Sequence, residues 1–196
     1  MSALPEHSRT GGPAAEVRIR GWLPADFARR VDDAMEIYVR AMGYRPAVGR
    51  QRAVTARRHA SNAGFACRAA LLADGTLVGF GYGYTSRPGQ WWHDLVRKAL
   101  DPAAAQAWLT DAFELSELHV EPDWQGHRIG RELLVQLAAA LPHSVMLLST
   151  PDADTRAFRM YRTLGFADLR RDYRFPGDDR PFAVLGARLP FAGEVG

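Results

Sequence analysis

The spacing of apolar positions divides the chain into alternating strand-like and helix-like stretches. Val17 to Trp22 predicts a first strand, with Val17 and Ile19 facing inward. Pro24 follows. From Asp26, the expected N-cap, Phe27, Val31, Met35, Tyr38, Val39 and Met42 recur at helical spacing until Gly43 ends the run. A weaker helical pattern runs from about Ala47 to Ala60, where Arg50, Arg52, Arg57, Arg58 and His59 read as an exposed face. Phe65 to Leu72 and Leu77 to Thr85 predict strands joined at Asp74-Gly75, a strong hairpin signal. In the second strand Gly79, Gly81 and Gly83 share one face, which lets a helix pack closely; Phe80, Tyr82 and Tyr84 share the other. Residues 86–111 turn helical again around Trp91, Trp92, Leu95, Val96, Leu100, Ala104 and Trp108.

The pattern then breaks phase. Phe113 and Leu115 alternate with polar residues, as do Leu118 and Val120, but the two pairs do not fit one pleated strand. One extra residue at Ser116 or Glu117 restores the phase. The prediction is a bulged strand that buries Phe113, Leu115, Leu118 and Val120 and turns Glu114, Glu117 and His119 to the opposite face. Pro122 ends it. Ile129, Leu133, Leu134, Leu137, Ala138 and Leu141 mark a helix stopped by Pro142, and Val145 to Thr150 is a buried strand of the parallel kind, giving a right-handed crossover. Asp154 is the expected cap of a helix with Phe158, Tyr161 and Leu164 inward and Gly165 at its end; residues 167–175 and 182–189 form a closing hairpin. The fold class predicted is α/β, a mixed sheet of about seven strands with about four helices plus a helical segment at 86–111.

Composition narrows the class. At 196 residues the chain suits one domain, expected at 17–196, behind a Gly/Pro/Ala-rich flexible tail at 1–16 with no signal-peptide core. A single cysteine, Cys67, excludes a disulfide framework and a cysteine-based zinc site, and a cytoplasmic protein is expected, with no metal. No stretch is long and apolar enough to cross a membrane, so no membrane partner is expected. The net charge of +3 comes from arginines scattered among acids, Lys98 being the one lysine; without a nucleic-acid motif, no nucleic-acid partner is expected.

The segment Gln125-Gly126-His127-Arg128-Ile129-Gly130-Arg131 stands at the start of the helix after the bulged strand. Backbone N–H groups of a first helical turn lack partners and lie at the positive end of the macrodipole, so the segment is an anion site suited to a phosphate or pyrophosphate. The pattern V-x-P-x-x-Q-G-x-x-I-G-R resembles the acyl-CoA pyrophosphate loop of the GNAT superfamily of N-acyltransferases. Gln125 and Gly130 match its signature, and Arg128 stands where the family usually has glycine. The run from Asp154 to Phe166 resembles the family's second signature: Arg156, Ala157, Tyr161, Gly165 and Phe166 match, and Asp154 replaces an asparagine. The resemblance spans about residues 17–189, and relative to the family 86–111 looks like an insertion.

The resemblance implies a splayed fourth and fifth strand and transfer of an acetyl group from acetyl-CoA to a primary amine by direct attack in a ternary complex. The alternative is a module that binds acyl-CoA without consuming it. Coenzyme contacts are expected from Leu118, His119, Val120, the loop 125–131, Asp154 and Tyr161. An alkylamine is mostly protonated at neutral pH, so a base is needed; the carboxylates facing the cleft rank Glu114 first, Glu117 second, then His119. Tyr161 would protonate the leaving thiolate. Tyr84, Trp91, Trp92 and His93 are candidates for the acceptor pocket, for a small-molecule or peptide amine, and a homodimer would be in keeping with the family.

Overall fold

The computed structural model describes residues 16–191; residues 1–15, where nearly all of the expected tail lies, and 192–196 fall outside the described residues. One mixed sheet of seven strands organises them, in the order β1-β2-β3-β4-β5-β7-β6. The strands are β1 (Arg18–Trp22), β2 (Ala66–Leu71), β3 (Leu77–Thr85), β4 (Ala112–Val120), β5 (Val145–Pro151), β6 (Ala167–Tyr173) and β7 (Phe182–Arg188). Only β4 and β5 run parallel; every other neighbouring pair is antiparallel.

Six α-helices cover the sheet: α1 (Pro24–Met42), α2 (Pro46–His59), α3 (Trp91–Ala99), α4 (Pro102–Leu109), α5 (Ile129–Ala138) and α6 (Arg156–Thr163). On one face α1 and α2 pack Phe27, Val31 and Met35 against Phe80 and Tyr82, while α3 and α4 pack Trp92 and Val96 against Leu147 and Val184. On the other, α5 and α6 bury Leu134, Leu137 and Tyr161 against Phe113, Leu115 and Leu148. Pleating therefore divides β4 as expected, with Phe113, Leu115, Leu118 and Val120 on the α5 side.

The bulge is where the phase break placed it. Tyr82 pairs with Glu117 and Gly83 with Leu115, which leaves Ser116 as the extra residue. A Cβ on Gly83 would stand 2.0 Å from the Glu114 carbonyl oxygen, so only glycine admits this bend. Gly79 and Gly81 let Leu133 of α5 and Leu118 of β4 close on the same strand.

Two expected caps are displaced. Asp26 is not the N-cap of α1: Leu23 is, Pro24 begins the helix, and the Asp26 carboxylate accepts the Leu23 N–H at 3.1 Å. Thr155, not Asp154, caps α6, because its hydroxyl reaches the Phe158 N–H at 3.0 Å. Among the described residues no helix is long and apolar enough to cross a membrane.

Candidate active site

The parallel pair is short. Ala112, Phe113 and Glu114 pair with Val145, Met146 and Leu147, and there the ladder ends. Beyond it β4 continues beside β3 to Val120, and β5 beside β7 to Pro151, so the two strands open into a V. Their facing edges line a cleft of about 1390 Å³ with Glu114 at its apex.

One side of the cleft is built by α5. Its first helical bond runs from the Glu132 N–H to the Arg128 carbonyl at 3.0 Å, so the amides of Ile129 and Gly130 precede the first closed turn and have no intrahelical acceptor. Gly126 and Arg128 both take left-handed backbone, φ 86° and 62°. This conformation is why glycine suits position 128, and an arginine there stores about 1–2 kcal/mol of strain. Leu118, His119, Val120, Gln125, Gly126, Arg128, Ile129, Gly130 and Arg131 all line the cleft. His127 does not: its ring turns back to the Trp124 carbonyl at 3.2 Å. Asp154 does not either, since it is exposed and paired with Arg159. Arg156, which sequence reasoning took only as a matching motif residue, lines the cleft, and its guanidinium lies 4.0 Å from where a Gly126 side chain would begin.

Burial, charge and hydrogen bonding act differently on the titratable groups. Glu114 is 4% exposed; burial pushes its carboxyl up to about 7, although the Tyr84 hydroxyl donates to Oε1 at 3.0 Å and Arg52 adds positive charge. Its Oε2 is buried with no hydrogen-bond partner among the described residues. Glu117 is as deeply buried, yet the Arg52 guanidinium and the His119 ring, 2.6 Å away, outweigh desolvation and hold it down at about 2. Tyr161 lines the cleft from α6, and burial together with the Glu117 charge raises its phenol above the ordinary range, so it keeps its proton.

Across the cleft, α2 and α3 form opposing walls. Arg52 and His59 turn inward rather than lying on an exposed face. His59 Nδ1 lies 3.3 Å from the Ser116 hydroxyl and 3.2 Å from that of Tyr82, and the ring meets Tyr84 edge-on. The stripe Arg52, Thr55, His59 was the signal that could have found them, since three- and four-residue steps place all three on one helix face. On the facing wall Trp91 is exposed against Phe175, and Trp92 donates its indole N–H to Ser149 at 3.1 Å. His93 is outside the lining, buried against the Ser86 hydroxyl at 2.9 Å.

The model of the acetyltransferase (GNAT) family matches residues 31–166. The chain is 36% identical to the GCN5-like protein acetyltransferase Rv2170 of Mycobacterium tuberculosis, over 85% of this chain and 95% of that one. Among solved structures, yncA of Salmonella typhimurium with its cofactor acetyl-CoA superimposes with a TM-score of 0.59 at 17% identity, covering 89% of this chain and 95% of that one. An aminoglycoside 6'-acetyltransferase type Ii gives 0.62 at 18%, covering 87% and 96%. These two likenesses speak for the fold. Family match and relative together establish that this chain is an N-acetyltransferase and belongs to the acetyltransferase (GNAT) family.

Proposed function

We propose that the protein transfers the acetyl group of acetyl-CoA to a primary amine by direct attack, both substrates being bound at once. The observation that carries this reading is the apex of the V: a buried carboxyl poised near neutrality, with an unpartnered oxygen, at the point where the two strands part. The cleft fits the coenzyme. Amides of Ile129 and Gly130 with the side chains of Arg128 and Arg156 would hold the pyrophosphate, and the edge of β4 from Leu118 to Val120, unpaired toward β5, would take the pantetheine arm as an added strand. His127 and Asp154 have no part in this set.

The acceptor enters on the α2/α3 side, where Tyr84, Trp91 and Trp92 flank Glu114. Glu114 takes the ammonium proton, and the freed nitrogen attacks the thioester carbonyl. The developing oxyanion is stabilised by a backbone N–H near Leu118 or His119, on the edge of β4 that β5 leaves unpaired. Tyr161 then gives its proton to the departing sulfur and recovers one from the second proton that the attacking nitrogen sheds as the amide forms. Glu117 would be the weaker base, because its pairing with Arg52 and His119 holds its carboxyl low and leaves it little affinity for the ammonium proton.

The test is a thiol-release assay across a panel of amines, run against pH. Turnover should rise with pH through about 7, the Glu114 value, and level off above it. A rate indifferent to pH between about 5 and 9 removes Glu114 as the base. Gly130→Glu places bulk and like charge at the pyrophosphate position; calorimetry should show coenzyme A binding abolished, and wild-type affinity in a folded variant refutes the loop's role.

A further inference from the structure

A base that is buried must also be emptied. When thioester and acceptor fill the cleft, Glu114 has no open route to water: it is 4% exposed, Oε2 is directed at the reactants in the proposed mechanism, and Oε1 is held by Tyr84. Beyond Tyr84 the polar groups continue. The side chain of Ser116, the bulged residue, is near enough to Tyr82 and Tyr84 to lower both phenols against the effect of burial, and the Tyr84 ring meets His59 edge-on. The Ser116 Oγ lies 3.3 Å from His59 Nδ1. His59 is only partly buried, and both of its hydrogen bonds among the described residues are made at Nδ1, leaving Nε2 on the outer side.

We propose that Tyr84, Ser116 and His59 form a relay that carries the acceptor's proton from Glu114 to water. The proposal rests on Glu114 being the base. The balance is one proton in and one out. The ammonium N–H breaks as an O–H forms on Glu114; that proton passes to the Tyr84 oxygen as the Tyr84 proton passes to Ser116 and the Ser116 proton to His59 Nδ1, while the proton on Nε2 leaves to water. The direction seen in the structure, Tyr84 donating to Glu114, is the arrangement left after such a hop. Glu114 and Ser116 are two residues apart and so share a face of the strand, and Tyr84 is the cross-strand partner of Glu114 on that face.

The groups facing His59 suit it to pass a proton on rather than keep it. Burial first, then Arg52 and Arg58 of its own helix, lower the imidazole to about 4 against the opposing pull of Glu117 on β4; Tyr82 and Tyr84 on β3 contribute neutral hydroxyls. An imidazole of this kind is neutral at pH 7 and releases what it receives.

The experiment uses the full chain, with turnover measured in dilute buffer at about pH 7.5. His59→Asn keeps a polar group near the Nδ1 position but cannot conduct a proton, and Ser116→Ala breaks the path one step earlier. Each should lower kcat by roughly tenfold while leaving the KM for acetyl-CoA unchanged. In both variants the rate should climb with added imidazole buffer, whereas the wild type stays indifferent to it. Unchanged kcat, or a loss that imidazole does not restore in variants that bind coenzyme A normally, overturns the relay. Glu114→Gln separates the two levels: if it retains wild-type turnover, the base itself is wrong; if it is inactive while His59→Asn shows no buffer dependence, only the relay fails.

Discussion

Glu114 and Glu117 are three residues apart on one strand, face the same side of the sheet and are about equally buried, yet one sits near 7 and the other near 2. The difference is made by what each half of β4 meets. Before the bulge, Glu114 meets a neutral tyrosine hydroxyl and only a weaker pull from Arg52, so desolvation wins. After it, Glu117 meets Arg52 from α2 and its own neighbour His119, and charge wins. Ser116, the inserted residue, is what brings both carboxylates to one face while giving them different company. A carboxylate suited to proton transfer and one suited to holding structure thus arise from the same residue type within one turn of chain.

The largest expected effect is on Glu114. Glu114→Gln should lower turnover by about 10²- to 10⁴-fold, and the same change should stabilise the fold. The sign follows from the raised value: between the ordinary 4.5 and about 7 the folded state binds the proton that the unfolded chain has lost, so ionising Glu114 costs stability as pH rises through that window. Denaturant unfolding should therefore show the variant more stable by about 3 kcal/mol at about pH 8, and nearly matched to wild type near 4.5. A variant that loses activity without this pH-dependent gain would show that Glu114 is not held in an unfavourable ionised state.

Glu117→Gln should do the reverse. It leaves Arg52 with an uncompensated charge, at about 3 kcal/mol; this is the low end for breaking a buried pair, because Arg52 keeps 34% of its side chain exposed. The contribution of Glu117 is complete above its ordinary 4.5 and is lost as pH falls through about 2, so the deficit should be full at about pH 7 and shrink only in strong acid. The acid limb of turnover should stay near 7, since that limb belongs to Glu114. A shift of the limb toward 2 or its disappearance would make the two carboxylates a coupled pair rather than separate devices.

This division also marks what the sequence made legible. The phase break at Ser116 reported the bulge, and helix spacing with Gly126 and Gly130 reported the turn that opens α5, because both are local: they depend on residues within a few positions. Arg52 and His59 lie more than fifty residues from Glu117 and Ser116, and their contacts exist only once α2 packs through Gly49, Ala53 and Ala56. Local spacing cannot report such an encounter, so the arginines of α2 read as a solvated face. His93 misled for a related reason. Its tryptophan neighbours do line the cleft, but a helix turns about 100° per residue, and the next step buries His93 against Ser86.

Tyr161 tests whether the Glu117 half reaches into the chemistry. Part of what keeps its phenol protonated is the Glu117 charge, so the structural carboxylate helps preserve the proposed acid. Tyr161→Phe should lower kcat by about 10²-fold with coenzyme affinity nearly unchanged, as single-turnover kinetics beside calorimetry would register. Unchanged turnover removes Tyr161 from the mechanism and leaves the leaving sulfur to be protonated by solvent.

The smallest effect tests the opposite wall, where backbone rather than charge departs from what the residue type favours. Arg128 holds φ at 62°, a conformation glycine adopts without penalty, and Arg128→Gly should recover about 1 kcal/mol of folding stability. The same change removes a cation from beside the Ile129 and Gly130 amides, so coenzyme A should bind several-fold more weakly and with a shallower dependence on salt. Stability and affinity would then move in opposite directions, as they do for stability and turnover at Glu114: in both places a residue is held where folding alone would not choose it. If Arg128→Gly gains stability and binds coenzyme A as tightly as wild type, the arginine contributes nothing to the anion site. The backbone amides and Arg156 would then be sufficient for it.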